Sequence, residues 1–428
     1  MASIRCAWLF HLLLLAPLLP VAQASGVPAE VDDAGVTLGQ VISRALAGSP
    51  ELAEQRAAVD AAAARVVTAR TWPFNPELAV GAGRRRSAAG GRSTDREVSV
   101  SQEIELGGKR GRRVRAAELD LAAARARLRR AERRVAATAA SAFVLAQRAG
   151  EAADLEREAT DMARRLLEIE EKRLAAGDVT LIEVHLARAR LGRQAVRLAE
   201  AEAVHRAALA ELARSMGLDP EQAPRPAGSL ALPGFEVAEP QALTAMAAER
   251  RSDLMAVRRA VEASRSRIEL ARRRVVPNLV GEVAWSREEG TDRVASAALG
   301  LSIPIFNRRK GEIARAHADW RREAARARAL ELDVGREVEA AAARLGAAVR
   351  GAQEMQRGVI ASLEENLRMI ERAFTAGKIG WTDVIVFTGE FLEARREMLD
   401  VLAEAWLAAI ELDLATGQGT VLRPEEAD

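Results

Sequence analysis

The sequence has one cysteine, no tyrosine and no long uninterrupted apolar run, and each shortage removes a class of protein. The single thiol, Cys6, lies near the first residue. Disulfide cross-links, cysteine metal sites and a thiol nucleophile are therefore excluded. No cysteine follows the first apolar run to accept a lipid anchor either. Aromatic residues make up only 3% of the 428 residues, so aromatics interleaved with a basic stripe, the mark of a nucleic-acid surface, are missing. Beyond the first 24 residues no stretch long enough for an ordinary transmembrane helix occurs. A membrane-spanning part would have to be built from strands. An excess of one charge is also lacking: 63 basic residues are interleaved with 61 acidic ones, for a net charge of +2. Such mixing along helical stretches reads as solvated helix faces, and no nucleic-acid partner is expected.

What is present begins with a secretion signal over residues 1–24. Arg5 precedes an apolar run from Ala7 to Leu19 and the small-residue pattern Ala22-Gln23-Ala24, with cleavage expected after Ala24. The remaining chain is apolar and patterned enough to fold, with 49% hydrophobic residues. Much of that fraction is alanine, which suits closely stacked helices better than a thick globular core.

Internal repetition decides the organisation. Ser49-Pro50-Glu51-Leu52 is answered by Arg251-Ser252-Asp253-Leu254, and Asn75-Pro76-Glu77-Leu78 by Val276-Pro277-Asn278-Leu279. Gly111 is matched by Gly311, Ala176-Gly177 by Ala376-Gly377, and Met216-Gly217 by Thr416-Gly417, always at an offset of 200 to 202. Two units follow, over residues 25–217 and 240–417, separated by a proline-rich connector at 218–239 and followed by a tail at 418–428.

Each unit opens with a helical stretch, from Thr37 to Thr71 and from Pro240 to Val275, with Thr37, Ser49 and Ser252 expected as N-caps. The period then changes from helix to strand. Leu78, Val80 and Ala82, and Val98, Val100, Ile104 and Leu106, alternate with Glu77, Ser99, Ser101, Glu103 and Glu105. This gives a β-hairpin over about residues 75–106, and its twin over about 278–306 carries Leu279, Val283, Trp285, Leu299, Leu301, Ile303 and Ile305. Pro304 cannot donate to a strand ladder and is expected at the strand's end. Long helices are expected over about 112–176 and 311–376, each returning, after a short break, through a second helix over about 180–216 and 381–416. Glycine in the left-handed conformation would close each turn.

Inside lipid every backbone polar group must be paired, and four strands are too few to close a barrel. If the hairpins enter a membrane, several chains must share one barrel, with the long helices forming a common wall. A coiled-coil stalk outside the membrane is the other reading, but it gives no reason for a hairpin at the same point of both units.

Jointly, several segments resemble outer-membrane efflux proteins of the TolC family, and most of all its heavy-metal branch, the CzcC-like proteins. They are Asn75-Pro76-Glu77-Leu78, the run Ser101-Gln102-Glu103-Ile104-Glu105-Leu106-Gly107-Gly108-Lys109-Arg110, Ile303-Pro304-Ile305-Phe306-Asn307-Arg308, Gly311-Glu312-Ile313-Ala314-Arg315-Ala316 and the two helical turns. The resemblance extends from Thr37 to Gly417. It implies a mainly α fold with a small membrane β part: long antiparallel helical hairpins form an α-barrel tunnel, and four transmembrane strands per chain complete a shared twelve-stranded barrel in a homotrimer. It implies a passive outer-membrane channel, most of it in the periplasm, not an enzyme and without a cofactor. Its implied partners are a periplasmic adaptor (membrane fusion) protein, a proton-driven inner-membrane pump of the RND type and outer-membrane lipid. The expected cargo is heavy-metal cations, with drug efflux or type I protein secretion as alternatives.

The resemblance also selects residues. The helical turns meet the adaptor and gate the tunnel, which points to Gly177, Asp178, Val179, Thr180, Glu183 and Val184, and to Gly377, Lys378, Ile379, Thr382, Asp383 and Val384. In a threefold assembly Asp383 becomes a ring of three carboxylates, a constriction favouring cations. The acid often found three positions later in the family is Val386 here, which argues against a double acidic ring. Gly107, Gly108, Gly111 and Gly311 are expected to bend the chain from strand into helix.

Other motifs carry less. His185, His205 and His317 do not stand at ligand spacing, so no metal site is expected. Gly107-Gly108-Lys109-Arg110-Gly111 lacks the earlier glycine and the hydroxyl residue of a phosphate loop. Arg84, Arg85, Arg86 and Arg92 flank the first hairpin turn, where they either meet anionic headgroups or keep a loop soluble. No catalytic constellation is found.

Overall fold

The computed structural model describes residues 35–86, 90, 92–232, 234, 238–288, 292–375 and 381–422. The expected signal, both hairpin turns and the second helical turn with Gly377, Lys378 and Ile379 lie outside the described residues.

The elements run α1 (Leu38–Gly48), α2 (Pro50–Arg70), β1 (Glu77–Arg86), β2 (Arg92–Ile104), α3 (Lys109–Ala176) and α4 (Leu181–Ser215), and then α5 (Pro240–Arg250), α6 (Ser252–Arg273), β3 (Leu279–Glu288), β4 (Asp292–Leu301), α7 (Lys310–Glu354), α8 (Ala361–Thr375) and α9 (Trp381–Thr416). Thr37 caps α1 through a reciprocal box with Gln40, and Ser49 caps α2 with Pro50 in the first helical position. In the second unit Ser252 is not the cap: it is the first residue of α6, Arg251 occupies the cap position, and the Asp253 carboxylate takes the Leu254 N–H.

With 68 residues, α3 is about 100 Å long. Its buried face is an alanine ladder including Ala123, Ala126, Ala139, Ala140, Ala146, Ala149 and Ala153, and small side chains let the neighbouring helices approach closely. The counterpart in the second unit is not continuous, contrary to expectation. Residues Met355–Ile360 form a widened π-helical turn between α7 and α8. Gly358 sits in this turn, its carbonyl accepting the Ser362 hydroxyl at 2.9 Å, and a residue without a β-carbon weakens the regular helix there.

The strand-to-helix turns also correct the expectation. Gly107 and Gly108 have φ of 78° and 69°, and a β-carbon on Gly107 would come within 3.1 Å of Val276. Gly111 and Gly311, however, already lie inside the first turns of α3 and α7. In the second unit the left-handed residue is Arg309, with φ of 52°. The bend thus precedes the glycines that mark it in the sequence. Likewise β4 ends at Leu301 and β2 at Ile104, so Leu106, Ile303 and Ile305 continue the alternation without belonging to a strand.

The core lies at mid-height, where Ile42, Leu52, Leu212, Leu243, Leu254, Val338 and Leu345 are almost completely buried. The connector is pinned onto it: Val36 and Pro226 form a parallel bridge, Leu230 donates to Glu151, and the Trp406 indole donates to Ala231 O at 2.8 Å. Beside this core, Arg251, its side chain only 1% exposed, forks onto Asp253 at 2.7 and 3.0 Å and reaches Glu337 at 2.6 Å. Burial pushes the Asp253 carboxyl up, but the Arg251 fork and the Arg130 charge outweigh it and hold the group below its usual value. Buried Asp413 collects the backbone N–H groups of Gly419, Val421 and Leu422, folding the chain end back onto α9.

Removing that carboxylate leaves three inward-facing donors unmatched, at about 1–3 kcal/mol for a lost buried partner. Asp413→Ala is expected to lower the midpoint of thermal unfolding. It should also speed hydrogen exchange at the Val421 and Leu422 amides at least about tenfold, since 1.4 kcal/mol is a factor of ten. Unchanged exchange would show that the tail is held by other contacts.

Candidate functional site

Four strands form one antiparallel sheet in the order β1-β2-β3-β4. Directly paired residues project to the same face, so the register sorts every side chain. On one face lie the rows Ile104–Leu279–Leu301, Leu78–Val100–Val283–Ala297 and Val80–Val98–Trp285–Ala295. Between the first two of these comes the row Gln102–Gly281–Leu299. The apolar side chains are uncovered: Leu78, Val80, Val283 and Leu299 are 66%, 75%, 65% and 79% exposed. An apolar surface of this extent on a sheet requires a hydrophobic surrounding.

The opposite face is polar. The same register gathers there Glu77, Asp95, Glu97, Glu103, Glu282, Glu288 and Asp292, together with Ser99, Ser101, Ser286 and Ser296. Arg85 is its one basic residue within the strands, held by Asp95 at 2.8 Å and Glu288 at 3.0 Å. The sequence alternation marks Glu77, Ser99, Ser101 and Glu103 as strand polar positions but not Asp95, Glu97, Glu282 and Glu288. Alternation within a strand was visible; which faces of different strands coincide required the register.

Below the sheet, polar contacts bolt it to the helices. Lys109 donates to Asn278, Asn278 donates to Glu103 at 2.6 Å, Arg113 donates to Glu105 at 2.7 Å, and Gln102 donates to Phe74 O at 3.0 Å. Burial lowers the pKa of the Lys109 ammonium.

At the far end, α3 turns into α4. Gly177 has φ of 82°, its N–H donates to Leu174 O at 3.0 Å, and Asp178 N–H donates to Arg173 O at 2.9 Å, a paired closure of the helix end. Thr180 starts α4, and the Glu183 carboxylate accepts from the Thr180 N–H at 2.6 Å and from its hydroxyl at 3.1 Å. The backbone hydrogen bond, then that of the hydroxyl, lowers the Glu183 pKa. Thr180 and Glu183 are thus explained by capping. Asp178 is exposed and has no side-chain partner among the described residues, and Val179 is half-buried. In the second unit Thr382 and Asp383 fall in the first turn of α9; their side chains lie outside what the structure describes.

The histidines do not converge. His185 is exposed on α4, His205 packs over Gly150, and His317 lies 3.2 Å from the Arg272 guanidinium. Among the described residues no three metal-ligating side chains cluster, and no helix is long and apolar enough to cross a membrane.

The signature of the family described as "Outer membrane efflux protein" matches residues 41–218 and again 243–418. The chain belongs to this family. It is 26% identical over 412 residues to the cobalt-zinc-cadmium resistance protein CzcC of Cupriavidus metallidurans, covering 94% of this chain and 97% of that protein. It is 29% identical over 404 residues to protein CyaE of Bordetella pertussis, covering 90% and 84%. The Campylobacter jejuni CmeC outer membrane channel has the same fold, with a TM-score of 0.73 at 15% identity over 91% of this chain and 90% of that one. The protein is accordingly an outer-membrane efflux channel, a conduit rather than an enzyme, with its helical part in the periplasm. A periplasmic structural stalk is ruled out by this membership.

The capping geometry makes two expectations at the tip. Gly177→Ala forces a β-carbon into the left-handed region and should destabilise the turn by about 1–2 kcal/mol, whereas Asp178→Ala should leave it unchanged. Because the folded Glu183 pKa is depressed, its cap is present above the ordinary glutamate pKa and is lost as pH falls through the lowered one. Proteolysis at the tip should therefore rise on acidification in the wild type, with a flatter profile in Glu183→Gln. A matching profile in both proteins would assign the acid sensitivity elsewhere.

Proposed function

We propose that three copies of this chain form one outer-membrane duct, closing a twelve-stranded barrel above a twelve-strip helical tunnel, and that it conducts heavy-metal cations. The observation that carries this reading is the two-faced sheet with free edges on β1 and β4. In lipid those edge N–H and C=O groups must be paired. Since β1 and β4 run antiparallel to each other, β4 of one copy can continue the ladder onto β1 of the next. The count of three comes from the resemblance to trimeric channels of the TolC type. The two units of the chain then act as near-equivalent staves of the wall. On α4, Leu186, Val196 and Val204 are left exposed within the single chain, which supports burial against another copy.

The apolar face meets lipid and the acidic face lines the pore. Glu77 and Glu282 in one row of this face, with Glu103 and Glu97 in rows to either side, concentrate cations and repel anions, which fits metal export better than export of anionic drugs. The resistance protein CzcC, named for cobalt, zinc and cadmium, supports the same cargo. The cargo would be delivered by a proton-driven inner-membrane pump of the RND type through a periplasmic adaptor that docks at the α3–α4 and α8–α9 turns. Gly177, Asp178, Val179, Thr180, Glu183, Gly377, Lys378, Thr382 and Asp383 are the proposed docking and gating positions, with Asp383 as a ring of three carboxylates.

Purified in detergent, the protein should run as a trimer with heat-modifiable migration. In planar bilayers, Glu97→Gln/Glu282→Gln should shift reversal potentials toward lower cation preference at equal salt gradients, and Asp383→Ala should raise the open probability. Deleting the gene should sensitise the cell to zinc, cobalt or cadmium. Sensitivity confined to organic drugs would overturn the metal assignment, and loss of a secreted polypeptide would favour the protein-secretion reading.

A further inference from the structure

The apolar face of the sheet does not stay apolar up to the hairpin turns. Beyond the Val80–Val98–Trp285–Ala295 row, the register places Arg96, Arg287 and Arg293 side by side in the next row. Arg84 follows opposite Thr94, and Arg86 stands opposite Arg92. All six arginines project from the same face as the apolar rows. No aspartate or glutamate of the four strands does so. Arg96 and Arg293 are exposed and have no ion-pair partner among the described residues. The contrast with Arg85 is direct: between Arg84 and Arg86 in sequence but on the acidic face, it is held by two carboxylates.

Depth explains why such a row is tolerated. Arg96 lies eight positions along β2 from Ile104, which stands at the helix-side edge of the apolar face. At about 3.4 Å per residue this is about 27 Å along the strand, or about 20 Å of height for a strand tilted by about 40°. The arginine rows therefore come where hydrocarbon gives way to headgroups. A lipid-facing arginine costs about 2–4 kcal/mol at the midplane of a bilayer but little at its border. A guanidinium fork matches phosphate with two parallel hydrogen bonds.

We propose that Arg84, Arg86, Arg92, Arg96, Arg287 and Arg293 form a belt that binds the phosphate groups of the anionic glycolipid in the outer leaflet, anchoring the barrel at a fixed height. This rests on the reading that the apolar face meets lipid, and the test separates the two. Wild type, Arg96→Gln/Arg293→Gln and the control Arg315→Gln, a helix-surface change at a side chain 87% exposed, are purified from outer membranes in detergent. Heat-modifiable migration reports barrel formation, and native mass spectrometry reports retained diphosphorylated lipid A. The belt predicts that all three proteins form barrels and that the double variant retains roughly tenfold less lipid than the other two, equivalent to about 1.4 kcal/mol. Equal retention in all three barrels overturns the belt and leaves the channel reading intact. Absence of any barrel in the wild type overturns both. Equal binding of dephosphorylated lipid A, or full displacement by inorganic phosphate, overturns the assignment to a glycolipid phosphate.

Discussion

The structure depends on one constraint: a backbone polar group cannot remain unpaired in hydrocarbon. A four-stranded sheet with an uncovered apolar face satisfies this only at its two inner strands. The edges of β1 and β4 are free in the single chain, and in the proposed trimer their pairing would make assembly part of folding rather than an addition to it. The helical part answers a different demand. It extends about 100 Å with little cross-section, which suits the mostly alanine burial of α3, with Phe143 its single buried aromatic. Thin packing of this kind yields little apolar burial per residue. The buried polar nodes at Arg251 and Asp413 compensate by locking α3, α6, α7 and α9 with directional contacts.

Elements with strong local signals were legible in the sequence. Thr37, Ser49-Pro50, the alternation of Leu78 with Val80 and Ala82, and Ala176-Gly177 each encode their structure within a few residues. Errors arose where the determinant was not local. Ser252 looks like a cap, but Arg251 takes the cap position, its side chain held by Asp253, Glu337 and Ala415 O. Gly111 and Gly311 mark the bend only approximately, since the helix starts as soon as Gly108 or Arg309 has taken the left-handed conformation. The π-helical turn at Met355–Ile360 has no composition signal beyond its glycine.

The candidate site was legible in a different proportion. The tip turns stand out because glycine and capping residues punctuate a long helical pattern. The acidic face does not, because Arg84-Arg85-Arg86 reads as a basic cluster and Thr94-Asp95-Arg96-Glu97 as mixed charge along the chain. Alternation sends Asp95 and Glu97 to one side of β2 and Arg96 to the other, but only pairing shows which side chains of the neighbouring strands join them.

That separation makes register the quantity on which function turns. A slip of one residue in any strand exchanges its two faces, which in β2 would move Glu97 and Glu103 to the apolar side and Val98 and Val100 to the acidic one. The hairpin turns alone cannot prevent this, because the paired strands β2 and β3 belong to different units, joined only through α3, α4, the connector, α5 and α6. The contacts at the base of the sheet can. Gln102 bonded to Phe74 O sets β2 against β1, and the chain Lys109–Asn278–Glu103 sets β2 against β3. These bonds join residues 28 and 175 positions apart in sequence and sit where the strands leave the helices, so the rigid helical body fixes the register from below. The strand pairs above inherit that alignment, and with it the sorting of acids to one face and of apolar side chains to the other.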